Sequence, residues 1–221
     1  MRRAAIGLAA LALACAPALR KQAPEASAAR DPELLYRAIQ SRIHRIDREP
    51  GVDRAALASA AVEDGQECLA RAPESALCHY GLALALGVQA RERRVTARDG
   101  LRKMVEQLRD AARRDPALDQ AGPDRVLAMV LTRAPAWPAG PGDPEEAVQA
   151  ARRAVQLAPD HAPNQLALAE ALLAAGNALE ARGAARNAVD LARARSGDPE
   201  AAGWVKQGEA LLARAGGGAG S

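Results

Sequence analysis

The sequence predicts an all-α fold of antiparallel helix pairs, on three observations. The 221 residues are 49% hydrophobic, yet they include no Phe, two Trp and two Tyr. Ala supplies 57 residues; it is the best helix former and loses no side-chain entropy, so closely packed helices are favoured. Sheets draw on β-branched and aromatic residues, which are scarce here, and an all-β fold is excluded. Finally, Asp-Pro-Glu occurs at 31–33, 143–145 and 198–200. Each triplet places Asp at an N-cap, Pro at a first helical position and Glu at the positive end of a helix dipole.

Taken in order, Met1-Arg2-Arg3 precedes an uncharged run, Ala4 to Ala14. This is a positive n-region and an 11-residue apolar h-region, shorter than the roughly 20 residues a membrane-spanning helix needs. It ends in Leu11-Ala12-Leu13-Ala14-Cys15, which resembles the lipobox of bacterial lipoproteins. In that pattern Leu is commoner at the Ala12 position and a small residue at the Leu13 position. The resemblance implies a signal peptide at 1–14 and lipidation of Cys15, with the membrane reached through that lipid anchor only. It also implies a chain facing the periplasm, with Ala16 after the Cys favouring the outer membrane. Ordinary secretion, with cleavage near Ala16 or Ala18, is the alternative. Residues 15–30 read as a Pro/Ala/polar tether.

The formal net charge is +3 and the isoelectric point about 9.0. Arg2 and Arg3 belong to the leader, and without them 28 basic residues face 27 acidic ones. The charges are interspersed, with no basic stripe interleaved with aromatics, which excludes a nucleic-acid partner. Helices are expected at about 32–48, 53–72, 75–91, 99–114, 123–132, 144–158, 162–175, 178–194 and 199–214. They form one helical domain over 31–214, followed by a disordered Gly-rich tail at 215–221.

An internal repeat organises the second half. Ala147 and Ala154 recur 34 residues later as Ala181 and Ala188, with Leu168, Ala169, Leu172 and Gly176 between them. Pro159 closes the helix that holds Ala154. These positions are similar to the leucine, small residue, large apolar residue and turn glycine of a tetratricopeptide repeat (TPR). Upstream, a small residue followed five positions later by Pro recurs as Cys68…Pro73, Ala111…Pro116 and Ala154…Pro159, with the prolines 43 apart. The resemblance therefore implies a TPR-like α-solenoid of antiparallel helix pairs with degenerate, inserted repeats.

A second resemblance is narrower. Cys78-His79-Tyr80-Gly81-Leu82-Ala83-Leu84, the stretch Ala121 to Leu127, the loop Arg133 to Asp143 and Pro159-Asp160-His161-Ala162-Pro163-Asn164 together resemble the T-component family of TRAP transporter systems. The likeness runs over about 50–213. It implies a non-enzymatic periplasmic lipoprotein that docks a solute-binding protein, handles small organic acids and forms a ring-like homo-oligomer. The alternative is a general envelope adaptor whose groove receives a peptide or helix of an assembly partner. In either case the binding surface is expected around 79–90, 122–137 and 163–173, through Tyr80, Arg125, Trp137 and Asn164.

Two roles fit each of these side chains. The Arg125 guanidinium suits a carboxylate clamp or a brace for the carbonyls of the 133–143 loop. Trp137 suits a ligand mouth or a plug holding that loop on a neighbouring helix. Tyr80 fits the aromatic position of a first repeat helix. Three His residues without paired ligand spacing give no metal site, and no cofactor motif is present. Glu145-Glu146 is explained by capping, and nothing assembles a catalytic residue. Cys68 and Cys78 flank Pro73 symmetrically, so a helix hairpin brings them opposite each other. Packed helix axes lie about 8–10 Å apart, whereas a disulfide needs Cα atoms within about 7 Å. The sequence leaves the pair open between disulfide and free thiols.

Overall fold

The computed structural model describes residues 31–93, 95 and 97–217. The expected signal peptide, Cys15 and the expected tether lie outside the described residues, as do residues 218–221. Nine helices follow one another among the described residues: α1 (Pro32–Arg48), α2 (Arg54–Arg71), α3 (Ala76–Glu92), α4 (Ala97–Arg114), α5 (Leu118–Arg133), α6 (Pro144–Leu157), α7 (Ala162–Ala174), α8 (Ala178–Ala194) and α9 (Ala201–Gly217). Each packs on the next, and α1, α3, α5, α7 and α9 also touch in series. The stack is a solenoid of four helix pairs closed by α9, which carries the expected fold class. Among the described residues no helix is long and apolar enough to cross a membrane.

Helix starts follow the caps. Asp31 accepts from the Glu33 N–H, and Asp143 from those of Glu145 and Glu146, with Pro at the first helical position both times. The third triplet works one turn earlier. Asp198 accepts from the Glu200 N–H at 2.8 Å, and the helix proper begins at Ala201. Helix ends also follow the sequence: Pro73, Pro116 and Pro159 each stand two residues beyond α2, α4 and α6. Gly176, at φ +80°, closes α7. There the Gly176 N–H donates to the Leu173 carbonyl and the Asn177 N–H to that of Leu172, the paired bonds of a Schellman motif.

Small residues set the packing distance, as the repeat pattern requires. Cys68, Ala111, Ala147, Ala154, Ala169 and Ala188 are fully buried, and Leu172 and Ala181 are 1% exposed. Leu168 packs half-buried against the same core. The 34-residue step relates α6 to α8, whose neighbour α7 is only 13 residues long. Upstream, the longer step is filled by longer helices, 17 residues in α1 and α3 and 18 in α2 and α4, and by the 134–143 loop.

Two boundaries depart from the sequence reading. The tail expected to be disordered from 215 instead continues α9 to Gly217. Ala215 is 4% exposed and its carbonyl accepts from Arg182. The helical rise of α5 is preceded by Asp119, Gln120 and Ala121 at φ 50°, 53° and 63°, a left-handed turn that runs into Gly122-Pro123. The cysteines are joined: Cys68 and Cys78 form a disulfide between α2 and α3 with Cα atoms 5.3 Å apart. Among the described residues every buried apolar side chain lies between Leu35 and Ala215, so the body from Asp31 onward contains that whole core.

Candidate functional site

The odd-numbered helices share one face, and that face carries a groove. Between α3 and α5 it opens as a cavity of about 550 Å³ floored by Leu84, Val88, Met104, Met129 and Val130. Between α5, α7 and α9 it continues as one of about 480 Å³ against Leu166, Ala167 and Trp204. Val126, Met129 and Arg133 of α5 border both, so the two cavities adjoin along α5 and together make up the trough. An ion pair crosses its wall, with Arg133 donating to both Glu170 oxygens at 2.8 and 2.6 Å. Met is unbranched and polarizable, which suits a floor that meets a foreign side chain. The two Met residues beyond the initiator, Met104 and Met129, are both here.

The left-handed turn borders the trough, held by side chains from three helices. The Tyr80 hydroxyl donates to Asp119 Oδ2 at 2.7 Å, and Arg125 Nη2 donates to the same oxygen at 2.8 Å. Arg125 Nη1 also reaches the Asp119 and Gln120 carbonyls and Asn164 Oδ1, at 3.1–3.2 Å. Asn164 Nδ2 donates to the carbonyls of Gln120, Ala154 and Ala158. Burial, followed by the Asp119 charge, raises the Tyr80 phenol far above its ordinary value. The same two causes push Tyr36, stacked 6.4 Å away, up to about 12. Both phenols stay protonated, and Tyr80 remains a donor. Beside the turn, His161 is pushed down to about 4 by burial, then by the Arg125 charge. Its neutral ring lies edge-on to Trp204 at 6.1 Å, and its buried Nδ1 has no hydrogen-bond partner.

The geometry places the four candidate binding residues in different settings. Tyr80 is 2% exposed and Asn164 fully buried, and both hold the turn. Arg125 braces the left-handed turn rather than the 133–143 loop: its Nη1 and Nη2 are engaged by Asp119, Gln120 and Asn164, while the residue also lines the cavity beside α7. Trp137 neither plugs the loop nor lines the trough. It stands 82% exposed on a loop tied by its own backbone bonds, Gly142 N–H to the Pro135 carbonyl and Asp143 N–H to that of Leu131. The segments 79–90, 122–137 and 163–173 do supply the trough, but through Leu84, Val88, Val126, Met129, Val130 and Leu166. Met129, His161 and Trp204 were invisible as site residues, because each looks like an ordinary core or cap position until the helices are stacked. The left-handed turn had one trace, the Gly122-Pro123 pair after Pro116.

Comparison with solved structures settles the architecture. The chain superposes on the crystal structure of a thermophilic TPR protein of Thermus thermophilus with a TM-score of 0.64 and 21% identity, covering 85% of this chain and 84% of that one. The fold is a TPR solenoid. No family model matches the sequence, and no curated protein matches it. Within this TPR solenoid the first helix of each pair faces the trough and the second helix backs it. The 134–143 loop joins α5 to α6, and the left-handed turn opens α5.

Proposed function

We propose that this TPR solenoid is a protein-interaction scaffold whose trough receives an extended or helical segment of a partner protein. The observation that carries the reading is the pair of adjoining cavities with apolar residues from Leu84 and Val88 through Val126 and Met129 to Leu166 and Trp204, along the first helices of three successive pairs. A helix or strand laid in such a groove buries alternate apolar side chains against a preformed surface. The finer reading is an exported scaffold, lipid-anchored through Cys15 at the outer membrane, that docks the solute-binding protein of a TRAP-type transport system. It rests on the leader and on the sequence resemblance. The Cys68–Cys78 disulfide supports an oxidising compartment. With Arg125 already engaged, a small organic acid would need another partner in the trough.

The test is site-specific photo-crosslinking in the native host, with a photoreactive residue at Met129 and, as control, at Leu157 on the opposite face. Met129 is expected to crosslink one defined protein that Leu157 does not, and Val126→Asp should abolish the product. A solute-binding protein in that product supports the finer reading, and another envelope protein supports the general adaptor. Equal crosslinking at both positions would refute a trough-based scaffold.

A further inference from the structure

The first and last odd-numbered helices of the solenoid border one cavity. Arg48, in the last turn of α1, lines a space of about 390 Å³ together with Pro199, Glu200, Gly203, Trp204 and Gln207 at the start of α9. Glu200, Trp204 and Gln207 also line the larger cavity against α5 and α7. The start of α9 is therefore a wall between two spaces, one shared with α1 and one that belongs to the trough. Within 201–207 only Ala201 is buried. The end of α9 is different: Leu211 and Ala215 are buried, Gly208 packs tight against Val189 of α8, and Arg182 Nη2 donates to the Ala215 carbonyl at 3.1 Å. α9 is pinned at its end and flanked by cavities at its start.

The charges at this seam are complementary. Arg48 stands at the negative C-terminal pole of α1 and Glu200 at the positive N-terminal pole of α9, each of the sign its own helix end favours. Neighbouring charges are engaged: Asp47 with Arg91, Glu49 with Arg45, Glu209 with Arg193, and Asp198 with the Glu200 N–H. Arg195 and Lys206 are exposed and line neither cavity. Among the described residues the Arg48 and Glu200 side chains make no ion pair or hydrogen bond, although both border the same space. Close-packed helices have little room to shift, whereas the start of α9 has a cavity on either side. An exposed ion pair contributes little, which suits a contact that must also open.

We propose that α1 and α9 form a clasp: the start of α9 moves toward α1, Arg48 pairs with Glu200, and the two ends of the solenoid are joined beside the trough. Trp204 couples the clasp to the trough because it borders both cavities. An occupant on the trough side of Trp204 favours the position nearer α1, and by linkage the closed clasp favours the occupant. What the clasp closes over rests on the trough reading; the clasp itself is a property of the free protein.

The experiment uses residues 31–221 with His44→Cys and Gly203→Cys, and follows their crosslinking by a short bismaleimide. His44 is exposed one turn before Arg48, and a Cβ at Gly203 meets nothing within 4 Å. Cys68 and Cys78 are joined, so the body offers no other thiol. This parent is expected to crosslink within one molecule. Arg48→Glu should slow the reaction about two- to fivefold, the range open to an exposed ion pair, and Arg48→Glu/Glu200→Arg should restore it. Rising salt should slow the parent and not the Arg48→Glu protein. Lys206→Glu makes the same change in net charge outside both cavities and should leave the rate unchanged. Arg48, Glu200 and Lys206 are exposed, so these variants should keep the parent's melting temperature; Glu200→Gln is a milder break of the same pair. Absence of an intramolecular crosslink in the parent would overturn the clasp. So would an Arg48→Glu rate equal to the parent's, a charge swap as slow as the single variant, or equal slowing by Lys206→Glu. A trough without a partner leaves these rates untouched, so the two readings fail separately.

Discussion

Gly122 sits where no side chain fits. A Cβ there would lie 2.5 Å from the Tyr80 hydroxyl and 2.6 Å from Asp119 Oδ2. The three residues before it are left-handed and none is glycine, at a cost of roughly 1–2 kcal/mol each for L-residues. What offsets that cost is the charged network, since hydrogen bonds to ionised groups contribute about 1.5–3 kcal/mol apiece. Arg125 and Tyr80 both donate to Asp119, and Arg125 to two carbonyls of the turn. Gly122→Ala therefore forces the Tyr80–Asp119 bond apart and should destabilise by about 1–3 kcal/mol, a fall of about 2–4 °C in melting temperature per kcal/mol at this size. Tyr80→Phe removes the atom that clashes most closely. The double variant should accordingly lose less than the two singles added together, as read by thermal melts in a double-mutant cycle. Strict additivity would show that the hydroxyl is not what excludes a side chain at 122.

The α2–α3 hairpin shows how far the sequence could be read and where it ran out. The caps, the closing prolines and the repeated alanines were legible, since each is a local rule with a fixed spacing. Whether Cys68 meets Cys78 was not, because ordinary axis separations leave the Cα atoms too far apart. Gly65 decides it. It lies on the same face as Cys68, almost one turn earlier, and a Cβ there would stand 2.9 Å from the Cα of Leu82, one turn beyond Cys78. Without a side chain at 65 the helices close to a 5.3 Å Cα separation at the cysteines. In the same way Arg125 was recognisable as a charged residue beside an apolar run. Its partners come from the left-handed turn and α7, and no local rule predicts that meeting. The bond spans a sequence separation of 10 and should contribute about 2–3 kcal/mol by the chain-entropy estimate. Reduction should then lower the melting temperature by about 5–10 °C, and a thermal scan with and without reductant measures it. An unchanged midpoint would mean that helix packing alone holds the hairpin.

At the scale of the whole molecule the solenoid is a chain of nearest neighbours, so its ends matter more than its middle. Among the described residues no helix follows α9. Its inner side carries Ala201, Leu211 and Ala215, each 4% exposed, and Gly208, where a Cβ would lie 2.6 Å from Val189 of α8. Its other side carries Lys206, Gln207, Glu209 and Arg214, all exposed. That division is what a capping repeat needs: one face apolar to finish the core and one polar to end it. α9 also turns the trough inward, because Arg48 at the end of α1 lines a cavity of about 390 Å³ with Glu200, Trp204 and Gln207. Deleting residues 201–221 should uncover Val189, Ala185 and Leu166 while leaving the first three helix pairs intact. The truncated protein should keep most of its helical circular dichroism but elute larger and in a concentration-dependent way on gel filtration, as exposed apolar surface pairs between copies. If it stays monomeric with an unchanged melting temperature, α8 already ends the solenoid and α9 serves the trough alone.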